Sequence, residues 1–143
     1  MIDLAPAIHT LLAADDDLTD LLAVERMFTE RAPDRFVDVD DTEKSLDPPF
    51  LVVVDAGTAS FGGTNQTDEF RPTVRVTCLA VGRASAIEIR DAVGAALRGK
   101  TPAISGGGAM QLMIESFGVV REPDGVYNAF VQVAATASIS RAS

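Results

Sequence analysis

The stretch Gly94–Thr101 reads GAALRGKT and matches the pattern G-x-x-x-x-G-K-[ST] of phosphate-binding loops. In such a loop, backbone N–H groups surround the phosphates and the lysine contacts them, so the chemistry would be nucleotide binding and hydrolysis. The loop must leave a buried strand and open a helix, because the helix N-terminus supplies partial positive charge. Whether the match has this function therefore depends on the elements on either side of it.

The residues before Lys100 predict a helix that ends, rather than begins, at this motif. Apolar side chains recur at helical spacing within residues 84–98, namely Ile89, Ala92, Val93, Ala96 and Leu97. Gly99 is typical of the position after a helix, and Pro102 cannot continue one. Lys100 would then lie where backbone carbonyls point outward and repel phosphate. Four residues match the fixed positions of the nucleotide-binding pattern: Gly94, Gly99, Lys100 and Thr101. We therefore interpret this match as a chance one.

A second stretch, which contains Asp38, Asp40 and Asp41, resembles the start of a calcium-binding loop. The EF-hand pattern then requires a glycine and a distal glutamate. Glu43 and Pro49 occupy those two positions, so we predict a solvated acidic loop that holds no metal.

The remaining reactive side chains do not form a recognisable catalytic set. His9 is the single histidine, and we expect it on the surface of the first helix. Cys78 is the single cysteine and lies in an alternating apolar stretch, which predicts a buried structural thiol. The carboxylates Glu88, Asp91 and Glu115 have no spacing that brings two of them together. We therefore predict a protein that is not an enzyme and holds no cofactor.

The composition predicts one domain, residues 1–143, because 47% of the residues are hydrophobic and can form a packed core. Residues 1–49 contain 13 acidic and 4 basic residues, whereas residues 50–143 contain 8 of each, so the first third carries the whole net charge of -9. Such a charge disfavours DNA binding. The chain lacks the basic start of a signal peptide and any apolar run near the ~20 residues of a membrane span. We expect a soluble, cytoplasmic protein that does not bind membranes.

The first third predicts two helices followed by a connection. Asp3 is a candidate cap of the first helix and Asp17 of a short second one. The first helix has an apolar stripe made of Leu4, Ile8, Leu11 and Leu12. Residues 33–49 read as an acidic, proline-containing connection, and residues 56–69 as a long glycine-rich loop.

Strands are predicted at residues 50–54, 73–81, 110–121 and 126–139. The last two strands form a hairpin whose turn is Glu122–Gly125, since proline and glycine favour turn conformations. The predicted fold is α+β, an antiparallel sheet of about four strands with two main helices packed on one face.

The order of these elements resembles the tail-terminator, or tail-completion, proteins of long-tailed bacteriophages. The similarity covers nearly the whole chain and is carried by LLAADDDLTDLLA, RMFTERAPD, PPFLVVV, RPTVRVTCLAVGRASAIEIRDAVGAALRG and REPDGVYNAFVQVAATA. These motifs correspond to the N-terminal helices, a first strand, a proline-led second strand, a strand–helix unit and a closing hairpin. In that family A-L-x-G is a helix end, in agreement with our interpretation of Gly94–Thr101.

The resemblance implies a structural virion protein without catalytic residues. Terminator subunits form a ring, commonly a hexamer, that binds the end of the polymerised major tail tube protein and stops its growth. The ring also presents a surface to the head connector or stopper protein, and DNA passes through it without specific binding. Such a protein would be made in the host cytoplasm and located at the neck end of the tail. The dense acidic segment 34–47 departs from many relatives.

Ring closure requires that one edge of a subunit contact a different edge of the next subunit. The candidate surfaces are the strand Phe50–Val54 and the sheet face that carries polar as well as apolar side chains. We expect the loop 56–69 to become ordered on docking. The candidate interface residues are Phe50, Val52, Val54, Phe61, Asp68, Glu69 and Phe70. A second hypothesis places Asp38, Asp40 and Asp41 toward the channel, where negative charge would repel DNA.

Two other functions fit the sequence. Another neck component, such as a head–tail joining or stopper protein, would bind the connector before it binds the tube. A small cytosolic ligand-binding protein would use residues 56–69 as a lid over a pocket and would remain a monomer or dimer.

Overall fold

A computed structural model describes residues 4–37, 43–63, 67–102, 108–109 and 112–140. The helices are α1 (Ala5–Ala13), α2 (Asp16–Leu21) and α3 (Arg83–Leu97), and a short 3₁₀ turn covers Val24–Arg26. The strands are β1 (Met27–Thr29), β2 (Arg35–Val37), β3 (Glu43–Ser45), β4 (Phe50–Gly63), β5 (Thr67–Ala80), β6 (Gly108–Ala109), β7 (Met113–Arg121), β8 (Tyr127–Ala134) and β9 (Ala137–Ser140). No helix within the described ranges is long and apolar enough to cross a membrane.

The N-terminal helices form where the apolar spacing predicts them, but their caps differ from the prediction. In α1 the side chains of Leu4, Ile8 and Leu12 are buried, as expected from their spacing. The cap of α2 is Asp15, whose carboxylate accepts a hydrogen bond from the Leu18 N–H at 2.9 Å. Asp17 lies inside the first turn instead. The other predicted cap, Asp3, lies outside the described residues.

The main sheet has the strand order β1-β4-β5-β8-β7, and β1 runs parallel to β4 while the other neighbours are antiparallel. The predicted α+β class is confirmed, but the sheet is mixed and has five strands along this path rather than about four antiparallel ones, because β1 joins it in parallel. A parallel neighbour needs a long connection, and residues 30–49 provide it between β1 and β4. That connection was predicted to lack structure at 33–49, yet it contains β2 and β3, which pair with each other.

The prediction of a loop at residues 56–69 was wrong, because β4 and β5 continue past the core as one long hairpin. We call residues 57–63 and 67–72 the β arm. Its two strands pair from Gly57↔Thr73 to Gly63↔Asp68, with a register shift between Ser60 and Gly62. The strand β9 pairs along the arm at Thr67–Phe70, and β6 pairs with β9.

The core lies between one face of the sheet and the helices. Strand alternation places Val74, Val76 and Cys78 on this face, and all three are buried, which confirms the prediction of a buried thiol at Cys78. They belong to one apolar cluster whose other members include Ile8, Leu12, Leu51, Val53, Val93, Leu97, Val131 and Val133. The helices α1 and α3 therefore cover the same face of the sheet.

The opposite sheet face carries a stacked cluster on β5, β8 and β7. The Arg75 guanidinium lies 3.9 Å from the centroid of the Phe130 ring, and Phe130 is directly opposite Gly118 on β7. A Cβ atom at Gly118 would lie 2.8 Å from Phe130 Cζ. The ring therefore occupies the space that a side chain at position 118 would need.

We expect Gly118→Ala to destabilise the fold by about 1–3 kcal/mol, because the new methyl group overlaps a ring that Arg75 covers from above. Thermal or urea unfolding of the purified protein measures this cost. In a Phe130→Leu background the same substitution should cost much less, since leucine can move away from the methyl group. An equal cost in both backgrounds would contradict the overlap as the cause.

Candidate functional site

The motif Gly94–Thr101 spans the last turn of α3 and the residues after it. Gly94 is a buried residue within the helix, and its carbonyl accepts the Arg98 N–H at 2.9 Å. The Lys100 N–H donates to the Leu97 carbonyl at 3.1 Å, and Gly99 has φ +74°. The chain thus ends a helix here with a glycine after it, as predicted. This polarity is opposite to that of a phosphate-binding loop.

The histidine and the cysteine both contribute to the fold. His9 was predicted to lie on the surface, but it is half-buried and its Nε2 lies 3.0 Å from the Met27 carbonyl. This contact ties α1 to β1. Burial raises the pKa of the Cys78 thiol to about 12, and the nearby positive charge of Arg90 acts in the opposite direction. The thiol is therefore protonated at neutral pH and a poor nucleophile.

Acidic, histidine and cysteine side chains are dispersed rather than gathered. Within the described ranges, no three of them are close enough to hold a metal ion. Glu115 forms an ion pair with Arg71, Asp91 with Arg90, and Glu88 is exposed. Glu88 and Asp91 lie three residues apart on α3, so they are neighbours on that helix, whereas Glu115 lies on β7. The expectation that no spacing brings two of these carboxylates together therefore does not hold for Glu88 and Asp91.

The predicted interface residues fall into two separate places. Phe50, Val52 and Val54 lie side by side on the sheet face away from the helices, where the Phe50 ring meets Phe28 edge-on at 6.3 Å. Val52 is only 7% exposed, so this row offers little free apolar surface. The remaining four residues lie in the β arm: Phe61, Asp68, Glu69 and Phe70. Of these, Phe70 is half-buried. At ~3.3 Å per residue, seven residues separate Val54 from Phe61 by roughly 20 Å.

Arg26 anchors the acidic connection at its C-terminal end. Its Nη1 donates to the carbonyls of Asp47 and Pro49 at 2.8 and 3.0 Å, and its guanidinium lies 4.7 Å from the centroid of the buried Phe36 ring. The proposed channel-facing residues Asp38, Asp40 and Asp41 lie outside the described residues.

The structure shows a surface that the sequence analysis did not identify, along the edge strand β7. Large apolar side chains are exposed there: Met113 (59%), Phe117 (66%) and Val120 (51%). Phe117 faces α3 across a groove of about 250 Å³, which Gly94, Ala95 and Arg98 also line. We call the groove lined by Phe117, Gly94, Ala95 and Arg98 the β7 groove. The only sequence signal was the number of apolar residues in β7, which does not reveal that the strand lies at an edge.

Arg90 forms the floor of the β7 groove at one end. Its side chain is 12% exposed and forms an ion pair with Asp91 at 3.1 Å. Its Nη1 donates to the Gly118 carbonyl at 3.2 Å, and its guanidinium lies 5.2 Å from the centroid of the Phe117 ring. Arg90 therefore fixes the distance between α3 and β7.

Comparison with known proteins agrees with this fold. The family described as tail completion protein gp17 matches residues 6–138 of this chain. A chain in the structure titled "Virion of native gene transfer agent (GTA) particle" is similar with a TM-score of 0.79 and 17% identity, over 94% of each chain. No curated protein matches the sequence.

The α+β fold and the family match define a structural protein of phage tails. The chain belongs to the tail completion protein gp17 family, because the match covers most of its length.

We expect opposite effects of alanine at the two glycines of the GAALRGKT motif. Gly94→Ala should stabilise the protein by about 0.5–1 kcal/mol, because alanine favours a helix interior. The added Cβ would lie 3.7 Å from Ile114 Cδ1, an ordinary contact. Gly99→Ala should destabilise it by about 1–2 kcal/mol, because φ is +74° there. Thermal unfolding of both variants measures this, and destabilisation by Gly94→Ala would contradict the helix-interior assignment.

Proposed function

We propose that this chain is the subunit of a ring, a hexamer, that caps the end of the phage tail tube. The ring would stop polymerisation of the major tube protein and present its other surface to the head connector or stopper protein. The family match over residues 6–138 carries this proposal, and the fold shared with a chain of a virion particle supports it. The subunit would then reside at the neck end of the tail, after assembly in the host cytoplasm.

The unpaired strand edges of the subunit suit a protein that works by binding other protein chains. The strand β4 pairs with β1 only at Leu51–Val53, so the rest of its outer edge has no strand beside it within the described ranges. The outer edge of β7 is likewise unpaired there. Backbone donors and acceptors on such edges pair readily with another chain. We propose that the β arm contacts the tube or a neighbouring subunit.

The first experiment separates the proposed function from its alternatives. Purified protein is mixed with tail tubes and, separately, with head connectors, and tube ends are examined by electron microscopy. A terminator caps the tubes and halts their elongation. Preferential binding to the connector would instead indicate a joining or stopper protein, and binding to neither would reject a role at the neck.

We expect loss of capping when the β arm is shortened. Replacing residues 60–70 with Asn-Gly would join Ala59 to Arg71, which are opposite each other in the hairpin, and Asn-Gly favours a two-residue turn. Because the core pairs from Phe50 to Asp55 are kept, the variant should stay folded and fail to cap tubes.

The shortened arm also removes the partner of β9, which requires a control. Truncation after Thr136 removes β9 but keeps the arm, and this variant should still cap. Normal capping by the shortened-arm variant, or equal loss of capping in both variants, would reject a direct role for the arm.

We further propose that Asp38, Asp40 and Asp41 face the channel and keep DNA from binding as it passes. Reversing all three to lysine should create DNA binding that weakens as salt is added, because lysines neutralise phosphates. Replacing them with asparagine should have a smaller effect, since no positive charge is added. Filter binding at several salt concentrations measures this. If the lysine variant neither binds DNA nor slows its passage, the cluster is only solvated surface.

A further inference from the structure

The β7 groove combines exposed apolar surface with a net positive charge, because Arg90, Asp91 and Arg98 line it and Asp91 is paired with Arg90 at 3.1 Å. Phe117 is 66% exposed on the edge strand β7, and unpaired strand edges pair readily with another chain. Arg98 is exposed at one end of the groove and makes no side-chain hydrogen bond or ion pair within the described part of the chain. A partner for this groove should therefore present apolar side chains next to acidic ones.

The chain itself carries such a surface on α2 and the turn after it. Asp17, Asp20 and Leu21 are spaced three and four residues apart, so they share one side of the helix. The two aspartates are exposed, and Leu21 is 40% exposed. Val24, also 40% exposed, continues the apolar part. The other side of α2 is buried through Leu18. We call these four residues the α2 patch.

We infer that the β7 groove of one subunit receives the α2 patch of the next copy of this chain. Phe117 would contact Leu21 and Val24, and Arg98 would face the aspartates. The charges are complementary, and such complementarity favours this orientation over a contact between two grooves or two patches. This inference rests on the proposed ring.

The two surfaces have the asymmetry that a ring requires. The groove is formed by α3 and β7, and the patch by α2 and the 3₁₀ turn, so a subunit can use both at once. A contact between two different surfaces repeats from copy to copy and closes when the rotation permits. A contact of one surface with itself would stop at a dimer.

A pair of variants tests this contact. The groove variant carries Phe117→Ser and Arg98→Glu, and the patch variant carries Leu21→Ser and Asp20→Lys. Each should require at least a tenfold higher concentration than the wild type to form rings, in solution or on tubes, because exposed anchors and paired charges are lost. Val37→Ser removes an apolar side chain that is 53% exposed on β2 and should assemble like the wild type. Circular dichroism melts show that the variants are folded.

Mixing the two variants gives the most specific result. The groove variant keeps its patch and the patch variant keeps its groove, so the mixture should form mainly dimers. Further extension would use the two altered surfaces, whose charges are complementary but which have both lost their apolar anchors, Phe117 and Leu21. Analytical ultracentrifugation distinguishes these dimers from rings and from monomers. In addition, Arg98→Glu and Asp20→Lys placed in one chain should recover much of the assembly that either substitution removes alone.

The outcomes separate this contact from the capping function. If the wild type caps tubes and the groove variant caps them equally well, the groove inference is wrong and the proposed function stands. If the mixture forms dimers but the wild type binds no tube, the contact is correct and the capping function is wrong. A mixture that stays monomeric at a concentration at which the wild type forms rings, or a wild type that neither self-associates nor binds tubes, overturns the inference.

Discussion

The antiparallel pairing of β4 with β5 is the interaction on which the rest of the structure depends. From Phe50 to Asp55, β4 pairs with β5 in the layer that packs against the helices, and from Gly57 onward the same two strands form the β arm. The Asp55 carboxylate accepts the Gly57 N–H at 2.8 Å where the register shifts. Because the arm continues strands that are fixed in the core, the core determines its direction. The strand β5 also pairs with β8 and β9 on its other side, so the arm and the last strands are held together.

The residues that stabilise the fold and those that are available for the proposed assembly lie on different parts of the sheet. Its helix-covered face contains the apolar cluster, in which Val76, Cys78 and Val133 are fully buried. The opposite face and the edges carry partly exposed groups such as Phe130 and Phe117. Residues that stabilise the fold and residues available for contact therefore differ, and edge residues can be changed without loss of the core. That separation makes the proposed contacts testable with folded variants.

Features that local chemistry determines could be predicted from the sequence. The end of α3, the burial of Cys78 and the turn with Gly125 at φ +87° depend on neighbours in the chain. Features that depend on distant partners could not be predicted in this way. The β arm lacks an apolar period because it does not cover the core, so its strands read as a loop. The direction of β1 and the edge position of β7 follow from the sheet order, which no single segment encodes.

The uneven charge would affect when the proposed ring forms. The first third carries the entire net charge of -9, so free copies repel one another over about one Debye length, ~8 Å at physiological salt. The apolar contacts of the proposed interface act only when surfaces touch, whereas the repulsion acts during approach. In the proposed function a tube end would bind several copies side by side, which would raise their local concentration and offset this repulsion. Ring formation would then be weak in free solution and favoured on the tube, which is where a terminator has to act.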